Sequence, residues 1–222
     1  MTTLALRKPH ADRGIEGIAA RFYAANTAEM MKDYVDLARR IAAEVPQGSS
    51  ILEVAPGPGY FSVEFAKLGR YAITGLDISH SMVAIATKNA AAAGVPARFL
   101  QGSASDMPFP AKTFDFLLCR AAFKNFAKPF QALQEMSRVL KPGGIAVIID
   151  LNRNASPQEI SRGIDAMGLS WFNRQFTKLV FRTALLKSAY TKEEFQELLW
   201  EASFSHYEIH ENYMGFEIWL TK

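Results

Sequence analysis

The chain has 222 residues, of which 49% are apolar, 21% charged and 12% aromatic, a composition that suits one globular domain and excludes a disordered segment. Its 25 basic and 22 acidic residues leave a net charge of +3, too mild for a nucleic-acid footprint, so no nucleic-acid partner is expected. Apolar runs of about five residues, as at Ile145 to Ile149, fall far short of the roughly 18 needed to cross a bilayer, so no membrane association is expected.

The N-terminus, Met1 to His10, lacks the apolar segment of a secretory signal, and a cytoplasmic location is the expectation. A single cysteine, Cys119, excludes an internal disulfide and a cysteine-cluster metal site, and no metal is expected. Residues 15 to 45 place Ile18, Phe22, Met30, Met31, Tyr34, Val35, Leu37, Ala38 and Ile41 at helical spacing, which predicts an N-terminal helical segment ending at Pro46-Gln-Gly48.

From Ser50 the period changes. Short runs rich in β-branched and apolar residues predict strands at Ile51 to Val54, Tyr71 to Leu76, Ala97 to Leu100, Phe114 to Cys119 and Ile145 to Asp150. Between them, helical patterns cover 59 to 69, 80 to 93 and 126 to 140, the second stopped by Gly94 and Pro96. Strand, helix and strand in alternation mean right-handed crossovers and a buried parallel sheet, hence an α/β fold.

After Asp150 a helix-patterned insertion runs to about Ser188. Between residues 151 and 190 lie Arg153, Arg162, Arg174, Lys178, Arg182 and Lys187 against Glu159 and Asp165, a bias that solvated helix faces explain. Thr191-Lys-Glu-Glu194 has capping-box spacing and opens a helix to about Ala202. The strands Ser205 to Glu211 and Gly215 to Thr221, joined through Tyr213-Met-Gly215, have room only for an antiparallel hairpin.

The run Ile51-Leu-Glu-Val-Ala-Pro-Gly-Pro-Gly-Tyr60 puts Gly57 and Gly59 between the first strand and a helix, where the backbone can approach a ligand closely. A tight turn without ligand is the alternative, and the two prolines suit it. Asp77 ends the second strand 18 residues after Gly59, where a carboxylate can accept both hydroxyls of a ribose. Its alternative role is to cap the helix beginning near Ser79. Gly57-Pro-Gly59-Tyr-Phe-Ser62 nearly matches the dinucleotide pattern, yet Glu53 at the end of the strand would repel a pyrophosphate and attract an ammonium or sulfonium group.

The combination of Glu53, Gly57, Gly59 and Asp77 resembles the class I S-adenosylmethionine-dependent methyltransferases. The resemblance continues through most of residues 47 to 150. Ala55 stands at the first glycine of the family's acidic-x-Gly-x-Gly-x-Gly loop. Asp77-Ile78-Ser79-x-Ser81-Met82 is similar to its Asp-Ile-Ser-x-x-Met, and Gly102-Ser-Ala-Ser-Asp-Met-Pro-Phe-Pro110 to its Gly-Asp-Ala-x-x-Leu-Pro-Phe. Phe114-Asp115 and Val139-Leu-Lys-Pro-Gly-Gly144 match the opening of its fourth strand and the turn into its fifth. The wording is closest to the ubiquinone and menaquinone C-methyltransferase branch. That branch commonly has a His-His pair where this chain has Lys124 and Asn125, so no histidine base carries over.

The resemblance implies a Rossmann-like, seven-stranded, mostly parallel sheet with an antiparallel C-terminal hairpin, N-terminal helices and a helical lid. The segments are then a helical cap at 1–46, a cofactor-binding core at 47–150, a lid at 151–190, and a C-terminal helix and hairpin at 191–222 that complete the core. It implies S-adenosylmethionine as cofactor, held by Glu53, Ala55, Gly57, Gly59, Asp77, Ile78, Met82, Ser103, Ala104 and Arg120, with Ser103 replacing an aspartate at the adenine.

Arg120, just past the fourth strand, can hold the cofactor carboxylate or an acidic substrate, or form a rim ion pair. Lys124 and Asn125 can reach the substrate, or else cap a helix or face solvent. Cys119 reads as a buried small hydrophobe, and His10, His80, His206 and His210 are too scattered for a catalytic set.

The insertion's Trp171, Phe172, Phe176, Phe181 and Tyr190 must be buried, either as core or as a lid over an apolar or aromatic small-molecule substrate. The residues expected to face that substrate are Tyr23, Phe123, Asn125, Trp171, Phe172 and Tyr190. The expected reaction is methyl transfer to O, N, S or C of a metabolite by in-line displacement. A nicotinamide-dependent oxidoreductase and a non-catalytic binder of the same cofactor are the competing readings.

Overall fold

The computed structural model of the chain describes residues 14–166, 171–180 and 185–222. The N-terminal helical pattern breaks into α1 (Gly17–Ala28) and α2 (Met31–Glu44), with Glu29 and Met30 closing the first helix by bonds back to Asn26 and Thr27. Tyr34, Leu37, Ala38 and Ile41 lie on one face of α2 and are buried, the stripe that an amphipathic helix presents to a core.

The expected alternation then appears as β1 (Ser50–Val54), α3 (Tyr60–Ala66), β2 (Ala72–Asp77), α4 (His80–Ala93), β3 (Ala97–Gln101), β4 (Phe114–Arg120), α5 (Pro129–Val139) and β5 (Leu140–Leu151). Ser79 caps α4 by accepting the Met82 N–H, and Gly94 ends it with φ 66°, a left-handed conformation that glycine adopts without steric cost. The helix expected from 126 starts at Pro129 instead, because proline suits the first helical position.

Of the insertion, α6 (Pro157–Ala166), α7 (Trp171–Val180) and the single turn α8 (Leu186–Ser188) are described. Thr191 and Glu194 form the capping box of α9 (Lys192–Trp200). The hairpin of β6 (His206–Glu211) and β7 (Gly215–Thr221) completes a seven-stranded sheet of order β3-β2-β1-β4-β5-β7-β6. The first five strands run parallel, and β7 is antiparallel to both β5 and β6. Among the described residues no helix is long and apolar enough to cross a membrane.

Two apolar layers sandwich the sheet. Leu52, Val54, Leu117 and Ile148 pack with α5 and α9 on one face, and Ile51, Phe116, Leu118 and Val147 pack with α2 and α3 on the other. The order of strands reverses between β1 and β4, and in such sheets the crevice beyond the strand ends at that point is where ligands bind.

Two details differ from expectation. Lys141 to Gly144, expected as a turn, form a bulge inside β5: Phe114 pairs with Leu140 and Phe116 with Ile145. Gly143 with φ 75° makes the kink, and Lys141 Nζ lies 2.7 Å from the Asp115 carboxylate on the facing strand.

The second concerns Lys124, which is buried rather than directed at a ligand. In the 3-10 turn Phe123–Asn125 its Nζ lies 3.0 Å from Asp150 Oδ1 and donates to Ala121 O, while its backbone N–H donates to Asp150 Oδ2 at 2.8 Å. The two side chains are 4% and 2% exposed. Because removing one partner strands a buried charge, Lys124→Ala or Asp150→Ala should each cost roughly 3 to 5 kcal/mol in urea unfolding, and the double change to Met and Leu far less. Single-variant losses under about 1 kcal/mol would show the pair to be solvated.

Candidate active site

A cleft of about 150 Å³, partly open to solvent, lies beyond the C-terminal ends of β1, β2, β3 and β4. The loop after β1 contributes Ala55 and Gly57, the turn after β2 Asp77, Ile78 and Met82, and the loop after β3 Ser103 and Ala104. Arg120, Asn125 and Phe126 follow β4, and Tyr23 comes from α1. Ten of the sequence-predicted site residues are thereby brought together: Tyr23, Ala55, Gly57, Asp77, Ile78, Met82, Ser103, Ala104, Arg120 and Asn125.

Asp77 is the hinge of the arrangement. Its Oδ2 accepts the Gly57 N–H and its Oδ1 the Ser79 N–H, each at 2.9 Å. Each carboxylate oxygen keeps a second acceptor site. The side chain is only 6% exposed, and burial holds its pKa above the usual carboxylate range despite these two bonds. Capping of α4 belongs to Ser79, so Asp77 is not the helix cap.

Small residues keep the walls low. Ala55 with φ 56° and Ala121 with φ 57° hold left-handed conformations that cost non-glycine residues roughly 1 to 2 kcal/mol. Non-glycine residues in such conformations cluster where a fold builds a ligand site. Ala55 thus adopts a backbone conformation that favours glycine while adding only a methyl group. Arg120 stacks its guanidinium over the Tyr34 ring at 4.6 Å and, among the described residues, forms no ion pair. Burial pushes the Tyr34 hydroxyl up to about 12, partly offset by that cation.

Several expected site residues lie elsewhere. Glu53 is buried away from the cleft and accepts the Ser62 hydroxyl at 2.5 Å and the Ser62 N–H at 3.1 Å. Gly59 does not line the cleft; a Cβ there would meet Ala86 at 2.8 Å and Phe99 at 2.9 Å, so this glycine admits α4 and β3 against α3. Phe123 and Tyr190 are core residues at 0% and 3% exposure, packed with Phe195 by ring contacts. Trp171 is 60% exposed at the start of α7 and does not line the cleft. The Phe172 and Phe176 side chains, and Phe181, lie outside the described residues. Gly14, Ile15, Ala121, Ala122 and Phe126, which also line the cleft, carry no motif; the last three were findable only from their position after a strand at the switch point.

This set of groups suits an adenosine-bearing ligand: a buried carboxylate with spare acceptor capacity, an apolar slot at Ile78 and Met82, and near-bare backbone after β1. A parallel sheet with such a cleft at its reversal point defines a Rossmann-like α/β fold. Residues 52–148 match the family model of the methyltransferase domain, and this core is similar to S-adenosylmethionine-dependent methyltransferases.

A demethylmenaquinone methyltransferase from Deinococcus radiodurans is 37% identical over 107 residues, 48% of this chain and 44% of the relative. The match therefore spans less than half the relative's length. A crystal structure of a proposed S-adenosyl-L-methionine-dependent methyltransferase from Methanococcus maripaludis has a TM-score of 0.73 at 24% identity, covering 95% of this chain and 94% of that one. The [4+2]-cyclase SpnF shares the fold with a TM-score of 0.56 at 20% identity, over 85% and 80% of the two chains. The reaction must therefore be argued from the site.

The Glu53 environment makes a separate prediction. Burial raises its carboxyl from the ordinary 4.5 to about 7, although Ser62 and the nearby Arg120 pull it down. The folded state thus binds this proton more tightly than the unfolded chain. Its stabilising contribution is full below about pH 4.5 and is lost as pH rises through 7. Glu53→Gln should leave urea stability near pH 4.5 unchanged and raise it at pH 8 by up to roughly 3 kcal/mol. Equal effects at both pH values would show that Glu53 is solvated.

Proposed function

We propose that the chain transfers a methyl group from S-adenosylmethionine to a small, apolar or aromatic acceptor. The carrying observation is Asp77, fixed between the loops after β1 and β2 with acceptor capacity directed at the cleft. In this reading Asp77 receives the two ribose hydroxyls, Ile78 and Met82 flank the adenine, Ser103 and Ala104 border its edge, and the methionine part lies along Ala55 and Gly57. Arg120 takes a carboxylate, either the cofactor's or an acidic acceptor's. Glu53 supports the loop through Ser62 and draws the cationic end by its field rather than by contact.

Bound there, the cofactor supplies an electrophilic methyl on a sulfonium. The chain's task is to orient an acceptor in line with that bond and to keep water out. In this reading the acceptor's nucleophilic atom enters already ionised or intrinsically reactive. Arg120, with Tyr34 behind it, favours the ionised form. Tyr23 and Phe126 supply flat apolar contact to the acceptor and Asn125 a polar one. The naming of the Deinococcus relative supports a planar, quinone-type acceptor. The nicotinamide alternative finds no support, since Ser62 at its third glycine position is committed to Glu53.

Label from methyl-labelled cofactor should pass into a component of a metabolite extract, whereas a non-catalytic binder would leave the extract unlabelled. Asp77→Ala should lower affinity for S-adenosylhomocysteine by at least about tenfold, the weight of lost charge-assisted hydrogen bonds. Unchanged affinity in a folded variant would remove Asp77 from the site.

A further inference from the structure

We propose that residues 14–28 form a strap that must release for the cofactor to enter or leave the cleft. The inference rests on the cofactor reading above and deepens it. The segment runs from the turn after β2 to the helix after β1, and it is tied at both ends to the loops that would hold the ligand.

At the first end, Ile15 O accepts the Ser79 hydroxyl at 2.7 Å, and the two Glu16 carboxylate oxygens accept the His80 and Ser81 N–H groups at 3.0 Å each. The Gly17 N–H in turn donates to Ser81 Oγ at 2.9 Å. Gly14 lies so close that a Cβ there would stand 2.6 Å from the Ser79 Cα. At the other end, the hydroxyl of Tyr60, the first residue of α3, donates to Ala24 O at 2.9 Å. Between the two ties Tyr23 lies over Gly57, where a Cβ would be 3.7 Å from its ring. Gly14, Ile15 and Tyr23 accordingly form one wall of the cleft.

What holds this wall is polar and local. Only Ala20 and Ala24 of α1 are buried, while Ile18 is 85% and Phe22 62% exposed. By contrast, α2 buries Tyr34, Leu37, Ala38 and Ile41. An element anchored by two alanine methyls and a few hydrogen bonds opens at far lower free energy than the core. Its opening exposes the cleft along the side where Asp77 and Gly57 meet. Such a strap exchanges ligand by swinging as a unit, and its ties set the rate of opening.

The test is stopped-flow binding of S-adenosylhomocysteine to the full chain. Glu16→Ala cuts the first tie, and Tyr60→Phe removes only the hydroxyl of the second. For Glu16→Ala the association and dissociation rate constants should both rise at least about fivefold, with affinity changed by less than about threefold. Tyr60→Phe should move both rates in the same direction by less, and it keeps the test alive if Glu16→Ala fails to fold. Faster dissociation alone would make the segment a fixed wall, and rates equal to wild type would make it an ornament; either overturns the strap. A wild-type chain that binds no S-adenosylhomocysteine overturns the cofactor reading itself.

Discussion

The architecture of the site depends on one buried carboxylate that holds two loops at once. Asp77 ends β2 beside β1, and each of its oxygens takes one backbone N–H, from Gly57 and from Ser79. Without it, the loop after β1 and the start of α4 would each expose an unpaired amide at the mouth of the sheet. With it, both are fixed relative to a charged group that still has room to accept. The parallel sheet brings the three segments together; the carboxylate fixes their geometry.

Around that point the protein accepts unfavourable local terms. Two alanines stay in left-handed backbone, Glu53 is buried beside Ser62, and the Lys124 and Asp150 charges are closed into the floor after β4. Each is tolerated because the neighbouring strands are packed on both faces. The turn after β4 is thus braced from below by an ion pair.

Much of this was legible in the sequence because it follows from short-range chemistry. The strand periods, the stop at Gly94, the box at Thr191 and Glu194, and the antiparallel hairpin all rest on local rules, and the structure has them at those places. The strand-end position of Asp77 beside the cleft could be read from its spacing after the glycines.

What was not legible depends on distant partners. Gly59 has the same local signature as Gly57, yet Ala86 and Phe99 make it a packing glycine. Glu53 turns from the cleft because Ser62 supplies two donors, and Phe123 and Tyr190 join Phe195 because α9 offers them a ring cluster. The ties of Glu16 and Tyr60 span 65 and 36 residues and leave no trace in periodicity.

The central claim, that this cleft is built for S-adenosylmethionine, is tested most directly by calorimetric titration of the wild-type chain with S-adenosylhomocysteine and, separately, with NAD. The account predicts saturable binding of the first at one site per chain and no measurable heat from the second. Binding of NAD, or of neither ligand, would contradict it.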